Sequence, residues 1–253
     1  KGNVSEGIMI DRVFPAALHP RGTFVEIGAF DGVGISNTFE LATCRDWRGV
    51  LIEASPINCE RLKVNAATLR PQDEVHCPFA VCGFPATIKM LDAGGPVAGD
   101  PSKFSRTYRN AHHGLRFRHH RQPSLVEVPC RPINDFLANF SHIDFFSLDV
   151  EGSENTVLST IDYSKVAIDV FLVEVAMSSR HREAVSKHMA SNGYVQCPVG
   201  AIGDTVRGRV INPNLMFVHM RKAAEYIPRC QHLHLTPQAA GQAQGPGGPT
   251  VAN

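Results

Sequence analysis

Short apolar runs rich in β-branched residues alternate with helix-like spacings along most of the chain, and this alternation constrains the fold most. A parallel sheet with crossover helices has this pattern, because its strands are buried on both faces. The pattern predicts an α/β fold with strands at Thr23–Ile27, Gly49–Glu53, Glu74–Val81, Ile143–Asp149, Ala167–Val175, Tyr194–Cys197 and Leu215–His219.

Helices are predicted between most of these strands, at Ser36–Cys44, Pro56–Ala67, a segment after Ser153, and Arg182–Asn192. The first has the spacing of a capping box, with Asn37 followed three residues later by Glu40. The second has proline at its entry, where a missing N–H costs little. Asn192-Gly193 is a stop signal for the last.

The regular pattern fails over residues 83–124, which carry many of the glycines and prolines. Long loops in α/β domains tend to be functional or disordered. At the other end, the Thr236–Asn253 tail lacks a core-forming pattern and is predicted to be disordered. We therefore expect a single domain over 1–235, with a basic insertion at 83–124, and a disordered tail over 236–253.

Composition limits the function classes. With 43% hydrophobic residues in 253, the chain can bury a sizeable core, and its net charge of +1 excludes a globally basic protein that coats polyanions. No stretch approaches a membrane span, because Asp169 and Glu174 interrupt the longest apolar run. The chain begins at Lys1 without a signal-like segment, which leaves the compartment open between cytoplasm and, with an upstream targeting segment, the secretory lumen.

The seven cysteines show no CxxC spacing, so no zinc site is predicted. Free, mostly buried thiols are the favoured interpretation. In an oxidising compartment, Cys77 and Cys82 are the pair we expect to form a disulfide bond. Two sequons, beginning at Asn3 and Asn139, matter only in a secretory lumen.

The first predicted strand runs directly into a glycine-rich turn, FVEIGAFDGVGISN. Ligands of open α/β sheets bind outside the carboxyl ends of the strands, where glycine lets a ligand approach the backbone. The spacing of Gly28, Gly32 and Gly34 does not fit G-x-G-x-x-G, so a site for the pyrophosphate of a dinucleotide is less favoured. Glu26 on the strand and Asp31 in the turn instead favour a cationic ligand.

The second strand ends LIEASP, with Glu53 at its carboxyl end. An acid at this place can accept both hydroxyls of a ribose. Adenosine together with a positive group near Asp31 describes S-adenosylmethionine. Taken singly, the glycine turn is equally consistent with an ordinary turn, and Glu53 with a solvated strand end.

The fourth strand ends FFSLDVEGSE and delivers Asp149, Glu151 and Glu154 to the same edge. Glu154 is also explained by the preference of acids for a helix N-terminus. Asp149 and Glu174, on the fifth strand, could form part of a hard-metal site. No metal is predicted, because no third and fourth ligand can be named.

Four blocks of the sequence resemble the FkbM-type S-adenosylmethionine-dependent methyltransferases over roughly residues 20–220. They are FVEIGAFDGVGISNTFEL, RGVLIEASPINCERLKVN, VEVPCRPINDFLANFSHIDFFSLDVEGSENTVL and VFLVEV. The resemblance implies a Rossmann-like methyltransferase fold, a mostly parallel seven-stranded sheet with helices on both faces and an antiparallel last strand. It also implies O-methylation of a hydroxyl, often on a sugar, a glycan or a secondary metabolite.

By this resemblance, Gly28, Asp31, Gly32 and Glu53 contact the cofactor, and Asp149 lies beside the transferred methyl group. Asp31 stands where the family more often has asparagine. A neutral hydroxyl needs a general base or a metal. Asp149 is the first candidate for the base, and Glu151 or a histidine of 112–120 is the alternative.

The run over residues 103–121 holds six Lys or Arg and no acid, so the rest of the chain sums to about −5. Arg116, Arg118 and Arg121 are candidate ligands of an acidic acceptor. A solvated flexible loop is the alternative, and nucleic acid is disfavoured because the rest of the chain is acidic.

The sequence thus predicts an O-methyltransferase that uses S-adenosylmethionine and a small-molecule or glycan acceptor. A non-catalytic binding or trafficking module of the same fold stays open as the alternative. An NAD-dependent or nucleotide-sugar enzyme is disfavoured by the glycine spacing.

Overall fold

The computed structural model describes residues 6–92, 94–95, 98–99, 124–175, 178–198, 205–206, 209–210 and 214–231. The basic run at 103–121, including Arg116, Arg118 and Arg121, and the tail at 236–253 lie outside these residues. Among the residues described, no helix has the length and apolar character needed to cross a bilayer.

The strands and helices follow one another in the alternating order that the sequence predicts. In chain order they are α1 Glu6–Val13, β1 Arg21–Ile27, α2 Phe39–Cys44, β2 Asp46–Ile52, α3 Pro56–Leu69, β3 Glu74–His76, β4 Ala80–Val81, β5 Ala86–Asp92, β6 Ser124–Arg131, β7 His142–Leu148, α4 Glu154–Ser159, β8 Ala167–Glu174, α5 Ser179–Ser191, β9 Tyr194–Gln196, β10 Thr205–Val206, β11 Arg209–Val210, β12 Asn214–His219 and α6 Ala223–Gln231. Short 3-10 turns cover Ile133–Asp135 and Met220–Lys222.

The main sheet has seven strands in the order β3-β2-β1-β7-β8-β12-β9. The first five strands in this order, β3, β2, β1, β7 and β8, pair in parallel. Strand β12 runs antiparallel to both β8 and β9. This confirms the predicted Rossmann-like methyltransferase sheet with its antiparallel last strand. The chain reverses the direction in which it builds the sheet at β1, and ligands of open α/β sheets bind at such a switch point.

The strands bury both faces, as their continuous apolar sequences require. One face packs against α4 and α5, and the other packs against α1, α2, α3 and α6. Within β1, Phe24 faces the second group and Val25 faces the first, which is the alternation expected of a strand.

The register brings the carboxyl ends of the central strands to one level. Ile27, the last residue of β1, lies beside Ile52 of β2 and Leu148 of β7, and Leu148 lies beside Val173 of β8. The loops after these strands therefore meet at a single edge, which we call the carboxyl edge. The opposite edge, where the same strands begin, is the amino edge.

One predicted strand is corrected by the structure. The segment Glu74–Val81 is divided, because Pro78 has no N–H to continue the ladder, and β4 belongs to a second sheet, β4-β6-β5. In the predicted insertion, Ala86–Asp92 is a strand that pairs antiparallel with β6.

The capping box predicted at Asn37 is wrong. The α2 helix begins at Phe39, after Thr38. The backbone N–H of Asn37 donates instead to the Glu26 carboxylate, at 2.6 Å, so it is not available to the helix. A long-range contact thus overrides the local signal.

The expectation of free thiols is also wrong, because six of the seven cysteines form disulfide bonds. The pairs are Cys59–Cys77, Cys82–Cys130 and Cys197–Cys230, and Cys44 is free and exposed. The pair expected from sequence, Cys77 with Cys82, does not form, because Cys77 follows β3 in the main sheet and Cys82 follows β4 in the smaller one.

Candidate active site

The turn after β1 packs closely against the ends of β2 and β7. Gly28 N–H donates to Ile52 O at 2.9 Å, and Asp149 N–H donates to Ile27 O at 3.0 Å. Gly28 has φ +84°, and a Cβ there would lie 2.0 Å from Asp149 O. Only glycine fits this approach, which brings the β1 turn into contact with the residue that follows β7.

Glu53, directly after β2, is buried at the same edge. One carboxylate oxygen accepts from Phe30 N–H at 2.8 Å, and the other accepts from Ser55 N–H at 2.7 Å. Phe30 adopts φ +52°, an unusual value for a bulky residue, which this hydrogen bond helps to hold. Burial raises the pKa of Glu53 to about 7, although the donated hydrogen bonds oppose the shift.

Glu26 is occupied by groups of the protein itself. Its carboxylate accepts from Ser36 Oγ, Asn37 N and Thr38 Oγ1 at 2.6–2.7 Å. The buried Arg70 guanidinium lies 3.8 Å away. Burial raises the pKa of Glu26, and Arg70 opposes that rise. This acid therefore fixes the segment that leads into α2.

Asp31 likewise stabilises the turn. Its Oδ1 accepts from Val33 N–H at 2.9 Å and from Gly34 N–H at 2.7 Å. Gly32 has φ +74°, and a Cβ there would lie 2.7 Å from a methyl carbon of Leu62 in α3. These residues give the glycine turn its shape.

Asp149 and Glu174 form an acid pair at the ends of β7 and β8. Burial raises the pKa of Asp149 to about 6, whereas a hydrogen bond from the Glu174 carboxyl opposes the rise. Burial and the Asp149 charge raise the pKa of Glu174 well above its usual value. The shared proton therefore resides on Glu174, and Asp149 is the ionised member. The buried Oδ1 of Asp149 has no hydrogen-bond partner among the described residues.

Glu154, which begins α4, supports the loop after Asp149. Its Oε1 accepts from Gly152 N–H at 2.9 Å and from Val150 N–H at 3.3 Å. Its Oε2 lies 2.6 Å from Nε2 of His181 in α5. Glu151, between these donors, has φ +55°. The arrangement holds the loop in an unusual conformation from both sides.

A pocket at the carboxyl edge joins these loops. It encloses about 750 Å³, part of it open to solvent, which suits a nucleoside-sized ligand. No lysine or arginine is among the described residues that line it. The lining comprises Ile27, Gly28, Phe30, Ile35, Ile52, Glu53, Ala54, Asn58, Phe79, Ala80, Val81, Ile88, Met90, Ala98, Gly99, Asp149, Val150, Glu151 and Ser153.

The structure brings four of the predicted site residues together at the pocket: Gly28, Glu53, Asp149 and Glu151. The others that it describes are not in the lining: Glu26 lies in β1, and Asp31, Gly32 and Gly34 lie in the turn that follows it. The predicted acceptor ligands Arg116, Arg118 and Arg121 are outside the described residues.

Sequence reasoning missed most of the apolar wall. Ile88 and Met90 come from residues 83–124, where the sequence lacks a regular pattern, and Phe79 lies in a predicted strand that gave no sign of a pocket residue. Asn58 also lines the pocket and has a buried Oδ1 without a described hydrogen-bond partner. Its position in the first turn of α3, five residues after Glu53, is the signal that could have identified it.

A second polar cluster lies at the amino edge. Ligand atoms of His142, Asp144 and Asp169 lie within 4.8 Å of one another. Asp169 is fully buried, but Arg221 lies 2.9 Å and Lys222 3.6 Å from its carboxylate. These cations already balance its charge, so the cluster does not offer a vacant site for a metal ion.

The strand order and the acidic strand ends define the class of protein as a Rossmann-like methyltransferase. The chain matches the family model described as the methyltransferase FkbM domain over residues 26–195. It therefore belongs to the FkbM methyltransferase family, and its cofactor is S-adenosylmethionine. The family resemblance inferred from the sequence motifs is thus confirmed.

Solved structures similar to the chain include an O-methyltransferase from Bacillus cereus in complex with SAH, at 13% identity and TM-score 0.45, over 85% of this chain and 81% of that one. A precorrin-6Y C5,15-methyltransferase from Geobacter metallireducens aligns at 10% identity and TM-score 0.44, over 84% and 87%. A putative RNA methyltransferase from Pyrococcus horikoshii aligns at 10% identity and TM-score 0.43, over 84% and 81%. No curated protein matches the chain.

The described residues fit this cofactor. The sulfonium is a cation, and the described residues that line the pocket include the acids Glu53, Asp149 and Glu151 and no lysine or arginine. The Oδ1 atoms of Asp149 and Asn58, which have no hydrogen-bond partner in the described part of the chain, can accept hydrogen bonds from the ligand. The apolar wall that contains Phe79 suits a flat base.

Proposed function

We propose that the protein transfers the methyl group to a hydroxyl of a sugar, a glycan or a small metabolite, with Asp149 as the general base. The observation that carries this proposal is the position of Asp149, which lines the pocket and has a buried Oδ1 with no hydrogen-bond partner among the described residues. A neutral hydroxyl becomes a strong nucleophile only as it loses its proton, so the acceptor class requires such a base.

The acid pair suits Asp149 to this role. Because Glu174 holds the shared proton, Asp149 stays ionised above a pKa of about 6 and can accept a proton near neutral pH. Asp149 also has a buried Oδ1 with no hydrogen-bond partner among the described residues, and this atom can accept a proton. Glu151, which lines the same pocket, is the alternative base.

The remaining polar residues position the ligand. In this proposal Glu53 accepts hydrogen bonds from the ribose hydroxyls, and Gly28 permits close approach of the backbone. Glu26, Asp31, Gly32 and Gly34 maintain the turn. S-adenosylmethionine supplies an electrophilic methyl carbon, so the protein mainly has to align a hydroxyl with it and accept the proton.

The direct test is methyl transfer from S-adenosylmethionine with an isotopically labelled methyl group. Monosaccharides, oligosaccharides, small metabolite alcohols, amines and RNA should be offered in parallel, and products identified by NMR. We expect label in an O-methyl ether of a hydroxylated acceptor. Label only on nitrogen, carbon or RNA would contradict the proposed acceptor class.

A calorimetric titration separates an enzyme from the non-catalytic alternative. We expect saturable binding of both S-adenosylmethionine and S-adenosylhomocysteine. Absence of binding at millimolar ligand by a protein with an intact thermal transition would favour a binding or trafficking module.

A further inference from the structure

The sequon that begins at Asn139 lies in an exposed turn before β7. Phe140 N–H donates to Leu137 O at 2.9 Å, which closes the turn around Asn139. The Asn139 side chain is exposed and makes no hydrogen bond or ion pair to the described residues. Phe140 packs partly against the core and Ser141 is exposed. The turn thus fixes the sequon while presenting the amide nitrogen to solvent.

An independent observation concerns the compartment. Three disulfide bonds use six of the seven cysteines and join distant parts of the chain, with sequence separations of 18, 48 and 33 residues. Disulfides of this kind persist in oxidising compartments and are rare where glutathione keeps thiols reduced. Asparagine glycosylation is possible in the same oxidising secretory environment.

We propose that Asn139 is an N-glycosylation site and that the protein folds in an oxidising, glycosylating compartment. The transfer forms a bond between Nδ2 of Asn139 and the anomeric carbon of an oligosaccharide. It breaks the bond between that carbon and the diphosphate oxygen of a lipid-linked donor. The amide proton and the lipid diphosphate leave.

The position of Asn139 makes a glycan compatible with activity. Asn139 precedes β7 at the amino edge, whereas Asp149 follows β7 at the carboxyl edge. Seven strand residues at about 3.3 Å each separate the two by roughly 20 Å. A glycan on Asn139 therefore extends from the side opposite the cofactor pocket.

The test expresses the full chain behind a cleavable secretion signal in a eukaryotic cell. Peptide mass spectrometry should find an N-glycan on the Asn139 peptide, removable by peptide N-glycosidase. Asn139→Gln and Ser141→Ala should abolish it, whereas Ser141→Thr should retain it. Site-resolved spectra also separate this glycan from one on the other sequon, at Asn3.

Two further measurements test the disulfide bonds and the position of the glycan away from the pocket. Alkylation of the unreduced protein should label only Cys44, which shows that the disulfides have formed. S-adenosylmethionine affinity should be equal, within twofold, before and after glycan removal.

An unmodified Asn139 in secreted protein with the three disulfides intact would overturn the glycosylation site. Alkylation of the other six cysteines in folded secreted protein would overturn the oxidising compartment. A large gain in cofactor affinity on glycan removal would overturn the placement away from the pocket. None of these outcomes depends on the proposed acceptor.

Discussion

The buried aspartates at the two edges of the main sheet have different kinds of partner. At the amino edge, Asp169 is matched by Arg221, Lys222 and His142. At the carboxyl edge, Asp149 is matched by a protonated Glu174, and its other close partners are acids or backbone groups. At the amino edge, cations neutralise the charge of Asp169, whereas at the carboxyl edge a cationic ligand can neutralise the charge of Asp149.

This difference explains why one acidic cluster is a candidate site and the other is structural. Buried charges without a partner are costly, so proteins retain them mainly where function uses them. The amino-edge cluster resembles a metal site in composition, yet its cations already satisfy it. Burial raises the pKa values of Glu53 and Asp149 at the carboxyl edge, and no lysine or arginine among the described residues that line the pocket opposes that rise.

The largest expected effect comes from Gly28→Ala at the carboxyl edge. Its Cβ would lie 2.0 Å from Asp149 O, and φ is +84°, so the β1 and β7 ends must separate. We expect a loss of about 3 kcal/mol or more in unfolding free energy and no cofactor binding. Thermal melts and titrations measure both. Gly83→Ala, where a Cβ meets nothing within 4 Å, is the control and should change neither.

At the amino edge, Asp169→Asn should destabilise the fold without affecting the cofactor. It removes the charge that faces Arg221 and Lys222, whose side chains are 40% and 37% exposed and can be partly solvated instead. We expect a loss of about 2 kcal/mol by urea denaturation. A change in S-adenosylmethionine affinity beyond twofold would undermine the separation of the two edges.

The matching substitution at the carboxyl edge, Asp149→Asn, should show the reverse pattern. Binding of cationic S-adenosylmethionine should weaken about tenfold relative to neutral S-adenosylhomocysteine, because only the former carries the attracted charge. Stability at neutral pH should be unchanged or higher. Equal weakening of both ligands would mean that Asp149 acts sterically, and Asp144→Asn serves as the control.

The smallest effect is the pH dependence of the unliganded protein. The pKa of Glu53 rises from 4.5 to about 7 and that of Asp149 from 3.8 to about 6 on folding. The stability that this contributes is fully present below the lower values and is lost as pH rises through 6 to 7. Glu53→Gln should flatten that part of the stability profile in thermal melts.

Ligand affinity should change in the opposite direction over the same window. Ionisation of Asp149 creates the charge that attracts the sulfonium, so S-adenosylmethionine affinity should rise severalfold through about pH 6, and S-adenosylhomocysteine affinity much less. Parallel profiles for the two ligands would contradict an electrostatic role for this edge.

Local patterns predicted the fold and four of the residues that line the candidate pocket. The run that ends at Ile27 and the glycines after it locate the switch point, and Glu53 follows from the end of the next strand. The predicted cofactor role of Glu26 stays a prediction. The sequence did not indicate that Ser36, Asn37 and Thr38 donate hydrogen bonds to both of its carboxylate oxygens.

The sequence by itself determined the strand and helix alternation, the glycine turn, the acids at the strand ends and the family. These are properties of neighbouring residues, and periodicity records them directly. Only the tertiary structure decided which acids have counterions, which cysteines pair and which strand within residues 83–124 lines the pocket. Those outcomes depend on contacts between residues far apart in the chain, and no local pattern specifies the partner.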